Sequence, residues 1–257
     1  MFHVKHAIPP QNCHRRVCGY EGSDYEAFWK GRGYEDAAER VAIRRLLPPR
    51  GDTLVEIGAG YGRLADLYQG YRRVVLVDSA LSQLLLARRR LGGDRRYAFV
   101  VGNLYHLPLA SSSFDVAVTV RTLHHVEDLP AALREIRRLL RPRATYILEY
   151  ANKRNLKEIL RYILGHSQKR PFSPDPVEYL DLHFNFHPAY IASCLEGTGF
   201  AMERELAVSQ FRLPLLKRLF PTRLLVFLDS LLQAPTAPLR LAPSIFLATR
   251  AQEEGDH

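Results

Sequence analysis

An α/β fold, with a mostly parallel sheet between two layers of helices, is what this sequence predicts, and three observations carry the prediction. Short runs rich in Val, Ile and Leu alternate with amphipathic helical segments from residue 51 onward. Those runs are apolar at consecutive positions, as strands covered on both faces must be. The first of them ends in a glycine-rich turn, Gly58-Ala59-Gly60-Tyr61-Gly62.

In chain order, residues 20–50 read as helical. Ser23-Asp24 supplies an N-cap before Tyr25, and Ala37, Ala38, Val41, Leu46 and Leu47 recur at helical intervals until Pro48-Pro49. Residues 53–57 (TLVEI) make the first strand, and the glycine turn opens into a helix from about Tyr61 to Tyr68. Residues 73–77 (RVVLV) are a second strand, 80–91 a helix and 97–101 (YAFVV) a third strand. Residues 114–120 (FDVAVTV) are a fourth, before a helix over 129–140 whose Leu133, Ile136, Leu139 and Leu140 share one stripe. Residues 144–148 (ATYIL) are a fifth. Beyond them come an amphipathic helix through Leu156, Ile159, Leu160, Ile163 and Leu164, and a connection rich in proline at Pro171, Pro174 and Pro176. A helix starts at Pro188 and ends at Gly197 or Gly199, and final strands fall at 202–208 and 244–249.

Composition excludes several classes. The 257 residues, 47% hydrophobic and 25% charged, are those of a globular chain that needs no staples to fold. The longest aliphatic or aromatic run, Leu224 to Leu228, is far short of the ~18 residues of a membrane span. The N-terminus shows no secretory signal, so a cytoplasmic location is expected. Cys13, Cys18 and Cys194 cannot build a disulfide framework. Cys13-x4-Cys18 has no second pair to complete a zinc ribbon; His3, His6 and His14 lie near it, but no metal is expected. The formal charge of +9 divides into +7 in residues 1–150, +5 in 151–170, −5 in 171–209, +4 in 210–223 and −2 in 224–257, with no five like charges in succession. Arginine makes up 30 of the 36 positive residues, so compositional bias is the alternative account of the excess.

The glycine turn carries the chemistry. Glycines at alternate positions let backbone approach a ligand closely, and Asp78, at the end of the second strand, can accept both hydroxyls of a ribose. A tight connection with no ligand is the simpler alternative. A nicotinamide dinucleotide is another, but its fingerprint is G-x-G-x-x-G, and Glu56 would repel a pyrophosphate while suiting a cation.

Together, residues 55–65 (VEIGAGYGRLA), Val77-Asp78-Ser79, residues 101–108 (VGNLYHLP) with 113–116 (SFDV), and residues 121–128 (RTLHHVED) with Leu140-Arg-Pro142 resemble, in order, the signatures of class I S-adenosylmethionine-dependent methyltransferases. The resemblance is to the small-molecule branch grouped with quinone-biosynthesis enzymes, and covers about residues 50–150. It implies a Rossmann-like seven-stranded sheet with its last strand antiparallel and insertions after strands five and six. It divides the chain into an N-terminal helical segment (1–50) and a methyltransferase domain (51–257). Within the domain, 51–150 would be the cofactor half and 151–257 the acceptor half, with lid insertions at about 151–187 and 210–243. It further implies S-adenosylmethionine as cofactor. Gly58, Gly60 and Gly62 would line its methionine and ribose, Glu56 would engage the ammonium directly or through water, and Asp78 would hold the ribose. Ser79 would lie beside the adenine, Leu104 would meet it through its backbone N–H, and Arg121 would sit near the methionine end. Asn103 stands where the family usually has Asp, which weakens that contact to the adenine amine.

Methyl transfer needs alignment above all, and a base only for a weakly acidic acceptor. His124 and His125 are the candidate bases, with loop packing as the alternative. Tyr25, Phe28, Trp29 and Tyr34 form either a lid or a hydrophobic seam. His183 and His187 either face an acceptor pocket or belong to a docked loop. The aromatic and leucine-rich insertions point to a small, apolar or anionic acceptor, such as a quinone, lipid or polyketide-like precursor. Residues 213–220 and 223–232 are amphipathic with basic flanks, the pattern of a peripheral membrane contact or of a lid helix packed on the core. Nucleic acid is not expected as partner, since no RNA-binding module or basic arm is present. RNA methylation, or cofactor binding without catalysis, are the alternative functions.

Overall fold

β1 (Gly51–Ile57), β2 (Tyr71–Asp78), β3 (Tyr97–Val101) and β4 (Phe114–Thr119) form where the apolar runs lie, and they pair in parallel. The structure, a computed structural model, describes residues 19–253, so Cys13, Cys18, His3, His6 and His14 lie outside the described residues. β5 (Leu140–Ala151) extends the parallel set. β9 (Ser244–Ala251) then runs antiparallel between β5 and β8 (Phe200–Val208), for the order β3-β2-β1-β4-β5-β9-β8. This is the Rossmann-like seven-stranded sheet expected from the resemblance.

Side chains alternate between two covered faces. Val55 and Ile57 of β1, with Tyr146, Leu148 and Tyr150 of β5, face a layer closed by α4 (Leu129–Leu139) and α6 (Pro188–Glu196). Leu54 and Ile147 face the other layer, closed by α2 (Gly33–Leu46), α3 (Leu81–Leu91) and α8 (Thr222–Leu232). α4 shows how sequence sets an element. The Asp128 carboxylate accepts from Ala131 N at 2.9 Å, Pro130 occupies the first turn, and Leu129, Leu133, Ile136 and Leu139 are all buried. Each such side chain contributes roughly 1.5–3 kcal/mol on burial. At the other end of the chain, Asp24 caps α1 (Tyr25–Phe28), accepting from Ala27 N at 2.9 Å.

Three expectations are corrected. The helix over 61–68 is absent: Gly60 and Gly62, at φ 52° and 76°, keep the chain in turns, and only a 3-10 turn, Ala65–Tyr68, follows. β5 starts at Leu140 instead of residue 144, because its pairing with β4 shifts between Phe114 and Val116 and leaves Pro142 exposed. The segment 151–187 holds α5 (Leu156–Ile163) as expected, but also a hairpin of β6 (Val177–Leu180) and β7 (His183–Asn185).

The insertion at 210–243 contains α7 (Pro214–Leu219) and α8. α8 buries Leu225 and Asp229, while α5 buries none of its residues. Among the described residues, no helix is long and apolar enough to cross a membrane, and no group of His, Cys, Asp or Glu side chains is arranged to hold a metal ion.

Candidate active site

An open cavity of about 710 Å³ lies where β1, β2 and β4 end at their carboxyl edge, the place where sheets of this kind bind ligands. Gly58, Gly60, Asp78, Ser79, Leu104, Arg121 and His125 line it. The turn after β1 is pinned to β2 by Gly58 N and Ala59 N, which donate to Val77 O at 2.8 and 2.9 Å. Gly58 is obligatory there: at φ 76° an added Cβ would sit 2.1 Å from Thr122 Oγ1.

Asp78 is held by two backbone donors, Gly60 N to Oδ2 at 2.7 Å and Ala80 N to Oδ1 at 2.9 Å. Burial raises its carboxyl, and these bonds oppose the rise. Each oxygen keeps a lone pair for a ligand hydroxyl, which fits a ribose.

Glu56, Gly62 and Asn103 do not line the cavity. Gly62 faces α3 instead, where a Cβ would meet Leu91 at 3.0 Å and Ala87 at 3.4 Å. Asn103 Oδ1 accepts from Tyr105 N at 2.9 Å, an Asx turn that fixes its side chain against its own backbone. Glu56 is 3% exposed and its Oε2 has no hydrogen-bond partner. Burial pushes its carboxyl up to about 8 against the pull of Arg63. Raised this far, Glu56 is mostly protonated at neutral pH, and an ammonium arriving beneath the turn would favour loss of that proton and pairing with the carboxylate.

Arg121 lies just past β4 in left-handed backbone, φ 58°. Its Nε donates to Glu39 Oε1 at 2.8 Å, while Arg63 Nη2 donates to Glu39 Oε2 at 2.8 Å. Burial alone would raise the fully buried Glu39, but Arg121 and Arg63 outweigh it and hold the carboxyl below its ordinary range. The Arg121 N–H also donates to Glu149 Oε2 at 3.0 Å, and Ser244 Oγ donates to the other oxygen of Glu149. Sequence alone assigns no role to Glu39, Arg63, Glu149, Tyr20, Gln83 or Thr122; in a helix reading AAERVAIRR, Glu39 carries no sign that it faces inward.

Of the two candidate bases only His125 lines the cavity. Its Nδ1 lies 3.1 Å from the carbonyl of Leu182, which can only accept, so Nδ1 carries the proton and Nε2 accepts from Tyr20 OH at 2.9 Å. Burial lowers His125 to about 4 and holds His124 well below its ordinary range. His183 of β7 packs edge-on against His125, ring centres 4.6 Å apart. His187 instead caps α6, Nδ1 accepting from Ala189 N at 3.2 Å.

The N-terminal aromatic residues divide. Tyr25 lines the cavity with Tyr20, and Phe28 stacks on Tyr25 at 5.7 Å. The Trp29 ring lies 3.7 Å from the Arg63 guanidinium carbon. Tyr34 is core: its hydroxyl donates to Asp229 Oδ1 and accepts from Phe211 N, both at 2.9 Å.

Residues 55–148 match the family model described as a methyltransferase domain. The chain is 33% identical over 124 residues to a malonyl-[acyl-carrier protein] O-methyltransferase of Halorhodospira halophila, covering 47% of this chain and 41% of that one. It is 34% identical over 109 residues to a demethylmenaquinone methyltransferase of Clavibacter sepedonicus, covering 42% and 44%. The chain thus spans less than half the length of these curated relatives. In fold it is similar to an S-adenosylmethionine-dependent methyltransferase of Mesorhizobium loti, with TM-score 0.58 and 19% identity over 85% of this chain and 100% of that one.

Proposed function

We propose, on the premise that this chain belongs to the class I S-adenosylmethionine-dependent methyltransferases, that it methylates a small, apolar or anionic metabolite. The observation that carries the reading is the pairing of Asp78 on the cavity wall with the orphaned Glu56 beneath it, a ribose acceptor and a cation acceptor 22 positions apart. When bound, S-adenosylmethionine supplies a sulfonium methyl whose leaving group is a neutral thioether. The chain's own task is to orient. Asp78 would hold the ribose hydroxyls, Gly58 and Gly60 would keep the wall low, and Glu56 would face the ammonium through water. Ser79 and the Leu104 N–H would border the adenine. Tyr20 and Tyr25 would cover the site and exclude water. His125, neutral and hydrogen-bonded to Tyr20, supports that pair as the proton acceptor if the acceptor atom bears a proton.

The insertions support an apolar acceptor and a peripheral contact with an anionic membrane. Leu156, Leu160 and Ile163 of α5 and Leu224, Phe227 and Leu231 of α8 are exposed, with Lys157, Arg161, Arg218 and Arg223 nearby in sequence. Titration calorimetry with S-adenosylhomocysteine tests the cofactor reading. Micromolar binding is expected, weakened at least about 100-fold in Asp78→Ala with the circular dichroism unchanged. Tight NAD binding with none for S-adenosylhomocysteine would sink it.

A further inference from the structure

Arg212 is half-buried and does not itself line the cavity, but two nitrogens of its guanidinium are buried and the fold leaves them unanswered. It lies four residues past the end of β8, at the start of the second insertion. Its Nε and Nη2 are buried and have no hydrogen-bond partner. The carboxylates around it are engaged elsewhere: Glu39 by Arg121 and Arg63, Glu149 by the Arg121 N–H and Ser244, and one oxygen of Glu35 by Lys217 at 2.8 Å. The second oxygen of Glu35 is buried and makes no hydrogen bond, so it does not serve Arg212 either. Burial and the neighbouring Arg121 draw the Arg212 guanidinium down to about 10, which still leaves it charged at neutral pH.

Ser209, at the end of the same strand in left-handed backbone (φ 62°), has a buried Oγ with no partner. Desolvating a guanidinium without an acceptor costs several kcal/mol, and the usual resolution is an anion that completes the site. A planar fork with two free N–H groups takes a carboxylate or a phosphate.

We infer that Arg212, beside Arg121, receives a carboxylate or phosphate carried by the methyl acceptor. The inference rests on the methyltransferase reading and deepens it. Position separates Arg212 from the ribose end of the cofactor. Asp78 ends β2, toward one edge of the sheet, whereas Arg212 follows β8, the strand at the opposite edge, and its neighbours Glu149 and Arg121 belong to β5 and to the end of β4. An apolar acceptor with an anionic head would lay that head on Arg212 and its body along the leucine-rich insertions.

The test uses the full chain saturated with S-adenosylhomocysteine and titrated with hexanoate, hexyl phosphate and, as neutral control, hexanol. The wild type is expected to bind one of the anionic probes at least about tenfold tighter than hexanol. Arg212→Met should abolish that preference, Arg212→Lys should keep part of it, and hexanol binding should not change. S-adenosylhomocysteine and 5′-methylthioadenosine, which lacks the amino acid, should bind both variants as they bind the wild type. Loss of S-adenosylhomocysteine but not methylthioadenosine affinity in Arg212→Met would overturn the inference by assigning the cation to the cofactor carboxylate. Equal loss for hexanol, or anion preference intact in Arg212→Met, would overturn it as well. If Arg212→Met fails to fold, the same comparison is made with Arg212→Lys, where an unchanged anion preference for both head groups, with no loss of fork-specific affinity, counts against it. Wild-type protein that binds no S-adenosylhomocysteine would instead refute the underlying function.

Discussion

Replacing Glu56 by Gln should stabilise the protein at neutral pH and weaken cofactor binding, an opposition that a purely structural glutamate would not produce. Glu56 is 3% exposed, and burial moves its carboxyl from 4.5 to about 8. The folded state therefore keeps a proton that the unfolded chain releases from about pH 4.5 upward. Because the folded pKa is raised for an acid, stability is greatest below the unfolded pKa and falls as pH rises towards 8. At about 1.36 kcal/mol per pH unit, the loss is on the order of 3 kcal/mol at pH 7 and saturates near roughly 5 kcal/mol above pH 8. Gln has no proton to release, so Glu56→Gln escapes the loss. Urea unfolding of both proteins between pH 4 and 9 should give curves that meet near pH 4 and diverge by that amount. Cofactor binding moves the other way: without the carboxylate, affinity for S-adenosylhomocysteine should fall about 10- to 100-fold, as for one charge-assisted bond. In the wild type near pH 7, binding should release protons, measurable by calorimetry in buffers of different ionisation enthalpy. Parallel pH–stability curves would refute the burial argument, and unchanged affinity would refute the ammonium role.

Two further outcomes follow from the same geometry. Gly58→Ala should destabilise by roughly 2–4 kcal/mol, since φ is 76° and the methyl falls 2.1 Å from Thr122 Oγ1; adding Thr122→Gly should recover part of the loss in a urea melt, and no recovery would count against the clash. His125, lowered by burial from 6.5 to about 4, is neutral in the fold, so its contribution to stability is present above pH 6.5 and disappears as pH falls towards 4. His125→Gln should remove a slope amounting to roughly 3 kcal/mol over that interval, and acid-unfolding curves that stay parallel would contradict the assignment.

The sheet was legible because its strands are buried on both faces and so read as unbroken apolar runs. Pro142 misled at β5, since nothing local reveals a pairing shift that lets a proline ride on the exposed stretch before the strand's core. The hairpin of β6 and β7 was missed because Val177–Leu180 buries almost nothing and alternates weakly. In the site, residues tied to the glycine turn were readable from spacing, as with Gly58 and Asp78. Glu39 and Arg212 were not: each looks like a surface charge on a short window, and only packing over long sequence separations puts one against Arg121 and leaves the other without an acceptor. Asn103 shows what sequence leaves out, a short side chain whose oxygen bonds the backbone two residues on.

The bond between Glu39 and the two arginines bears on how this molecule can be divided. A fragment starting at residue 51 would keep every strand and the glycine turn, and would match the family signatures as well as the whole chain does. It would also strip the common counter-ion from Arg63 and Arg121, and remove Tyr20 and Tyr25 from the cavity wall. Sheet and site are therefore not separable inheritances. Any recombination that exchanges the first fifty residues must bring a carboxylate to the position of Glu39, or the cavity it delivers will have lost one of its walls.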